Sequence, residues 1–264
     1  MKQNKYDDPD FFAAYSTMPR SVYGLAKAGE WEAFRSMLPD LTSKRVLDLG
    51  CGFGWHCRYA REMGAQAVVG VDISENMLAR ARELTDDTAI EYRLGAIEDV
   101  EVDPDEFDVV ISSLALHYVA DVCPPVSAPA RQLATPIMGL EGGVFRLVHR
   151  ALRRGGAFVF SVEHPIFTSR AEQDWIYDES GRKLHWAVDD YQSEGERRTS
   201  WLAVDVVKYH RTVAGYVNGL IDAGFQVARL VEPSPSEVSI AANPDMADEA
   251  RRPMFLLVSA VKIT

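Results

Sequence analysis

A short stretch with three glycines in five positions is where this chain could do chemistry. "RVLDLGCGFGWHCRYA" spans residues 45–60: an apolar run reaches Asp48, crosses Gly50, Gly52 and Gly54, and continues as a helical pattern. Glycine lets the backbone adopt left-handed conformations and lets a ligand approach it closely. A glycine turn between a buried strand and a helix therefore indicates a ligand held against the backbone.

The spacing around this turn narrows the kind of ligand. The G-x-G-x-G pattern lacks the third glycine of a dinucleotide fingerprint, because Trp55 stands at that position. The chain also has no G-x-x-x-x-G-K-S/T loop for a nucleoside triphosphate. Asp72 lies 18 residues beyond Gly54, where an acid accepts hydrogen bonds from ribose hydroxyls. A ligand with a ribose and no required pyrophosphate fits this pattern best.

Three histidines follow or adjoin predicted strand ends and are candidate general bases: His117 in "LALHY", His164 in "SVEHP" and His210 in "KYHRT". A positioned histidine can take a proton from a hydroxyl nucleophile. No pair of histidines has the H-E-x-x-H spacing or a related metal spacing, so we expect no catalytic metal. The cysteines are odd in number and lack paired spacing, so they predict neither a disulfide framework nor a zinc site.

The elements that position these residues alternate along the chain. The pattern predicts strands over 45–50, 67–72, 90–94, 107–113, 157–162, 226–232 and 254–263, and helices over 55–64, 74–84, 144–156 and 211–225. Alternating strands and helices imply a mostly parallel sheet with helices on both faces. We therefore expect an α/β fold with a Rossmann-like seven-stranded sheet, whose ligands bind beyond the carboxyl ends of the strands.

Two stretches interrupt the alternation. Residues 120–142 are rich in proline and small residues and are predicted as a loop. Residues 165–210 carry three tryptophans and three tyrosines among many charges, which predicts an inserted lid rather than a disordered linker. We expect one domain over 1–264, divided into an N-terminal helical cover (1–40), a cofactor-binding core (41–164), a substrate lid (165–210) and a closing helix with strands (211–264).

Composition excludes several classes of partner. The 264 residues carry a net charge of -11, which disfavours binding to nucleic acid or to an anionic membrane. No apolar run approaches the roughly 20 residues of a membrane span. The first residues lack the apolar core of a signal peptide. We expect a cytoplasmic protein that acts on a small molecule.

Four motifs in order carry a resemblance to a known family. "VLDLGCGFG", "VVGVDIS", "FDVVISSLALHYV" and "LRRGGAFVFSVEHP" resemble the motifs of class I S-adenosylmethionine-dependent methyltransferases, within the small-molecule branch that has a ubiquinone-biosynthesis-like core. The resemblance covers residues 45–120 and 143–165. It implies in-line transfer of a methyl group from S-adenosylmethionine to an oxygen, nitrogen or sulfur atom of a small acceptor.

The resemblance also implies a role for each matching residue. The amino-acid end of the cofactor would be held by Asp48, Gly50, Cys51, Gly52 and Gly54, with Tyr15 and Arg20 of the N-terminal segment meeting its carboxylate. Asp72 would bind the ribose, and the adenine would lie among Ile73, Ile97 and Glu98. Ser113 and Leu114 would lie near the sulfonium.

Three alternatives stay open on the sequence, and one of them is a protein that binds the cofactor without catalysis. The same core serves RNA and protein methyltransferases, which the negative charge and the lack of an added basic module disfavour. A nicotinamide-dependent oxidoreductase would use a similar sheet, and Trp55 in place of the third glycine disfavours it.

Overall fold

The fold centres on one twisted sheet. The computed structural model describes residues 2–123 and 143–264. The strands of the described residues are β1 (Arg45–Leu49), β2 (Ala67–Asp72), β3 (Ile90–Leu94), β4 (Phe107–Ser113), β5 (Leu152–Glu163), β6 (Trp175–Tyr177), β7 (Lys183–Trp186), β8 (Gly195–Trp201), β9 (Ala203–His210), β10 (Phe225–Val231) and β11 (Phe255–Lys262). Seven of them form the sheet in the order β10-β11-β5-β4-β1-β2-β3. Strands β1 to β5 pair in parallel and β11 is antiparallel to its neighbours, which confirms the predicted mostly parallel sheet.

Helices cover both faces of this sheet. Those in the described ranges are α1 (Pro9–Ser16), α2 (Pro19–Tyr23), α3 (Trp31–Met37), α4 (Trp55–Glu62), α5 (Glu75–Glu83), α6 (Val144–Ala151), α7 (Pro165–Thr168), α8 (Val213–Asp222), α9 (Glu237–Ala242) and α10 (Met246–Glu249). Alternate strand residues point to opposite faces. Val46 of β1 therefore packs in one core with α3 and α4, while Leu47 packs in the other with α6 and α8.

One predicted helix boundary is wrong. The helix expected over 144–156 ends at Ala151, and Leu152 already belongs to β5. Leu152 pairs with Phe107, but Ala157 pairs with Val109, so the residues between them form an irregular stretch of strand. The two glycines in "RRGG" therefore lie in this irregular part of β5 and do not end the helix. Gly156 is required there, because a Cβ at this position would lie 2.8 Å from the Arg153 carbonyl oxygen.

The aromatic segment that interrupts the alternation folds into two hairpins. Helix α7 leads into β6–β7, and β8 pairs with β9 in a second antiparallel hairpin. Neither hairpin joins the central sheet. The loop predicted over 120–142 lies, from residue 124 onward, outside the described residues.

The N-terminal segment lies across the carboxyl edge of the sheet. The side chain of Gln3 donates to the Val207 carbonyl oxygen at 3.1 Å and accepts from the Val207 amide at 2.8 Å. Asn4 Nδ2 donates to the Ile73 carbonyl oxygen at 3.1 Å. The segment thus connects the turn after β2 with hairpin β8–β9. In the part of the chain that the structure describes, no helix is both long and apolar enough to cross a membrane.

Candidate functional site

The glycine turn between β1 and α4 leaves room at one of its three glycines. All three have positive φ angles, between 52° and 78°. A Cβ would collide with Ala115 at Gly50 and with Tyr92 at Gly54, so packing requires glycine at both. A Cβ at Gly52 would meet nothing within 4 Å. The open side of the turn is therefore at Gly52, which fits a ligand lying against the backbone there.

Asp72, at the end of β2, faces this opening. Its Oδ2 accepts the Gly52 amide at 2.8 Å and its Oδ1 accepts the Ser74 amide at 3.0 Å. A carboxylate oxygen accepts more than one hydrogen bond, so each retains capacity for a ribose hydroxyl. Burial raises the pKa of Asp72 to about 6, against the effect of these two amides. The carboxylate is ionised at neutral pH and can act as a charged acceptor.

Asp48, at the end of β1, has an unpaired oxygen. The side chain is 1% exposed, and its Oδ2 accepts the Cys57 thiol at 3.3 Å. Its Oδ1 is buried and finds no hydrogen-bond partner among residues 2–123 and 143–264. Burial raises the pKa of Asp48 to about 7 and that of the Cys51 thiol to about 11. A buried unpaired oxygen beside an open glycine turn fits a polar ligand group.

The residues assigned to adenine and to the sulfonium lie at the same edge. Ile97 is buried, and its Cδ1 would lie 3.5 Å from a Cβ on Gly50. Glu98, half-buried, lies 3.7 Å from Lys2 Nζ. Leu114 has a φ of 52° and its amide donates to the Ser161 carbonyl oxygen at 2.9 Å, while Ser113 Oγ accepts from Ser161 Oγ at 3.3 Å. The turn after β4 is thereby fixed beside the glycine turn.

Tyr15 and Arg20 of the N-terminal helices also reach this edge. The Tyr15 ring centroid lies 5.7 Å from that of Phe53 in the glycine turn. Arg20 forms an ion pair of 2.7 Å with Glu30, which is 2% exposed. The structure therefore brings Tyr15 to the glycine turn, and Arg20 is already paired to a carboxylate.

Two of the predicted histidines have both ring nitrogens engaged. His164 Nδ1 accepts the Ile166 amide at 3.0 Å, and Nε2 lies 2.8 Å from Glu232 Oε1. His210 Nε2 lies 2.9 Å from the Tyr191 carbonyl oxygen, and Nδ1 lies 2.9 Å from Thr168 Oγ1. These contacts hold α7 and hairpin β8–β9 in place. They leave neither ring a free nitrogen for an acceptor.

His117 differs from these two histidines. Its Nδ1 accepts the Glu163 amide at 3.4 Å, and its Nε2 has no hydrogen-bond partner in the described parts of the chain. The ring is 2% exposed, and burial lowers its pKa to about 4. His117 is therefore neutral at pH 7. A catalytic role for the three histidines stays a prediction, and the contacts favour His117 over the other two.

A buried ion pair beside His117 was not predicted from the sequence. Lys208 is 1% exposed, and its Nζ lies 2.6 Å from Glu163 Oε1 and 3.0 Å from Gln173 Oε1. The same ammonium lies 5.5 Å from the Trp201 ring centroid. The alternation of side chains along a strand could have indicated this residue, since Lys208 lies two residues before His210 and therefore points to the same face of β9.

Two more residues of the N-terminal segment, Tyr6 and Asp7, were also not predicted from the sequence. Asp7 accepts from Ser74 Oγ at 2.5 Å and from the Asn76 amide at 3.1 Å, so it caps the first turn of α5. The Tyr6 ring lies 5.3 Å from the Tyr15 ring and 6.3 Å from that of Tyr118. These contacts join residues far apart in sequence, and no local motif marks them.

Comparisons with known proteins agree with this geometry. A family model described as a methyltransferase domain matches residues 47–134. A solved structure of an S-adenosylmethionine-dependent methyltransferase from Mesorhizobium loti is 46% identical, covers 90% of this chain and 100% of that chain, and has a TM-score of 0.76. A putative S-adenosylmethionine-dependent methyltransferase from Listeria monocytogenes is 46% identical, covers 89% and 98% of the two chains, and has a TM-score of 0.75. The ubiquinone biosynthesis O-methyltransferase of Bradyrhizobium diazoefficiens is 43% identical over 30% of this chain and 31% of its own length.

Proposed function

The chain belongs to the S-adenosylmethionine-dependent methyltransferases, and on that premise we propose that it methylates an oxygen, nitrogen or sulfur atom of a small molecule. The observation that carries the proposal is the cover over the carboxyl edge of β4 and β5. We assign this cover to residues 1–40 and to a substrate lid over 165–210. Both parts meet above the glycine turn.

The cover is held by polar and aromatic contacts from both sides. Gln3 exchanges two hydrogen bonds with the Val207 backbone. The Trp201 ring of the hairpin lies 5.6 Å from Phe11 and 6.5 Å from Tyr15 of α1. An RNA strand or a folded protein would have to pass through these contacts to reach the cofactor. An enclosed edge suits a small acceptor that enters when the cover opens, and the charge of -11 also disfavours RNA.

The residues around the glycine turn bind and align the cofactor in this proposal. When bound, S-adenosylmethionine supplies the methyl group of its sulfonium to the acceptor, and its sulfur is left as a neutral thioether. Asp72 accepts the ribose hydroxyls, and Asp48 offers its unpaired oxygen to the amino-acid end. Ile73, Ile97 and Glu98 border the adenine. Alignment of donor and acceptor can supply on the order of 7–11 kcal/mol of the barrier, so positioning is the main task of these side chains.

His117 orients the acceptor rather than deprotonating it. Because Nδ1 accepts the Glu163 amide, the neutral ring carries its proton on Nε2. That N–H can donate to the acceptor. Lys208 and Glu163 lie beside it as an ion pair without net charge. An acceptor that arrives already nucleophilic, such as a thiolate, an amine or an acidic enol, requires nothing more from these groups.

The test is a labelling experiment that separates the acceptor classes. The purified protein is incubated with S-adenosylmethionine carrying a tritiated methyl group and, separately, with a low-molecular-mass extract, total RNA and total protein. We expect label only in the low-molecular-mass products. The Asp72→Ala variant serves as the control without cofactor binding. Transfer to RNA or protein would replace the proposal with one of the macromolecular alternatives.

A further inference from the structure

The strap, which we define as residues 2–7, connects the turn after β2 with hairpin β8–β9. We infer that Gln3 in this strap is a positioning residue that makes closure of the hairpin depend on the bound cofactor. The binding of cofactor and acceptor then becomes cooperative. This inference rests on the proposed function, and it adds a coupling between the two sites to which the sequence motifs assign no residue.

Polar side chains hold the strap on the cofactor side. Asn4 Nδ2 donates to the Ile73 carbonyl oxygen at 3.1 Å, and Asp7 accepts from Ser74 Oγ at 2.5 Å. The Ser74 amide in turn donates to Asp72 Oδ1 at 3.0 Å. The strap and the carboxylate that we assign to the ribose therefore bind the same turn after β2, through different groups. A ligand that orders this turn also stabilises the position of the strap.

On the acceptor side, Gln3 pairs with a single residue of β9. Its Nε2 donates to the Val207 carbonyl oxygen at 3.1 Å, and its Oε1 accepts the Val207 amide at 2.8 Å. Among the described residues the hairpin is a sheet of two strands, so the Gln3 side chain takes the place of a further strand beside Val207. Gln3 therefore fixes the backbone of β9 at this point.

The position of Val207 determines where the buried ion pair beside His117 forms. Lys208 is the next residue, and its Nζ lies 2.6 Å from Glu163 Oε1. The Glu163 amide donates to His117 Nδ1 at 3.4 Å. A continuous series of contacts thus runs from the turn after β2 through Gln3 to His117, the residue that we propose orients the acceptor.

The ion pair allows the hairpin two positions of similar free energy. With the hairpin closed, Lys208 is 1% exposed, so its ammonium has lost nearly all of its water. Desolvation of a buried pair largely offsets the attraction between its charges. An open hairpin would return both charges to water, so this pair favours neither position strongly, and two hydrogen bonds from Gln3 can shift the balance. A cofactor that holds the strap then favours the closed hairpin, and by linkage a closed hairpin favours the cofactor.

Amide exchange with and without S-adenosylhomocysteine measures this coupling. Gln3→Met keeps the length of the side chain and removes both hydrogen bonds, and Gln226→Met is the matched control because Gln226 is exposed on β10. Mass spectrometry follows two regions, the turn at residues 73–76 and strand β9 apart from Val207, whose own amide bonds to Gln3. Titration calorimetry measures the affinity of each protein for S-adenosylhomocysteine.

In the wild type and in Gln226→Met, S-adenosylhomocysteine should slow exchange in both regions, by about tenfold in β9, as for a pair of neutral hydrogen bonds. In Gln3→Met the turn at residues 73–76 should still respond, whereas the response of β9 should be lost. The affinity of Gln3→Met for S-adenosylhomocysteine should fall by no more than about tenfold, because linkage limits the loss to the coupling factor.

A Gln3 that only holds the hairpin in place would give a different result. Gln3→Met would then speed exchange in β9 equally with and without the ligand, which would overturn the inference. The inference would also be wrong if β9 responded equally in Gln3→Met and in the wild type, or if the wild type bound S-adenosylhomocysteine without any response in β9. These three results leave the proposed function intact. A wild-type protein that does not bind S-adenosylhomocysteine would overturn the proposed cofactor site, and the inference with it.

Discussion

Replacing Asp72 by asparagine tests the centre of the cofactor site. The carboxylate accepts the Gly52 and Ser74 amides through different oxygens, at 2.8 and 3.0 Å. Asparagine has the same shape, but it turns one acceptor into a donor and removes the charge. The loss of one hydrogen bond from a ribose hydroxyl to a charged group is about 1.5–3 kcal/mol. We therefore expect S-adenosylhomocysteine to bind about 10–100-fold more weakly.

The pH dependence of binding gives this prediction a second readout. Burial raises the pKa of Asp72 to about 6, and only the ionised form accepts the ribose hydroxyls as a charged group. Wild-type affinity should therefore fall as the pH drops below 6, by about tenfold per unit. The affinity of the asparagine variant should not show this fall below pH 6. Titration calorimetry between pH 5 and 8 measures both, with the exposed Asp86→Asn as the surface control.

The raised pKa of Asp72 also determines how the free energy of unfolding changes with pH. Folding raises the pKa of Asp72 from 3.8 to about 6, so the folded state favours the protonated form. The stability that this group contributes is present below about pH 4 and is lost as the pH rises through 6, by about 3 kcal/mol. Asp72→Asn should lose less stability than the wild type over this range. An unchanged affinity for S-adenosylhomocysteine, or an unchanged pH profile, would refute the assignment.

Three further predictions concern the cover and its polar residues. Lys208→Met leaves the largely buried Glu163 carboxylate without its cation, so urea unfolding should show a loss of up to about 3–5 kcal/mol that adding Glu163→Gln largely restores. An unchanged stability would contradict a stabilising ion pair. His164→Gln should lower Tm but keep kcat on the identified acceptor, because both ring nitrogens hold the fold. A large loss of kcat in the folded variant would indicate a catalytic role for His164. Amide exchange across residues 195–210 should slow when S-adenosylhomocysteine binds, and equal protection in both states would argue against a mobile lid.

Local patterns were sufficient to predict the sheet and the glycine turn. Each strand and helix of the core has its own periodicity, so their order followed from residues close together in sequence. Gly52 and Asp72 could be identified in the same way, since Gly52 follows the buried strand β1 and Asp72 ends the buried strand β2. The boundary at Ala151 could not, because the pairing of Leu152 with Phe107 depends on a strand 45 residues earlier.

The sequence by itself determined the α/β fold, the glycine turn after β1 and the acid at the end of β2, because each depends on short-range spacing. Only the tertiary structure decided which polar groups are already satisfied. His164 and His210 looked like His117 in sequence, and their partners Glu232 and Tyr191 come from distant segments. Hydrogen bonds across such distances have no local pattern, and they decide which side chains remain free to meet a ligand.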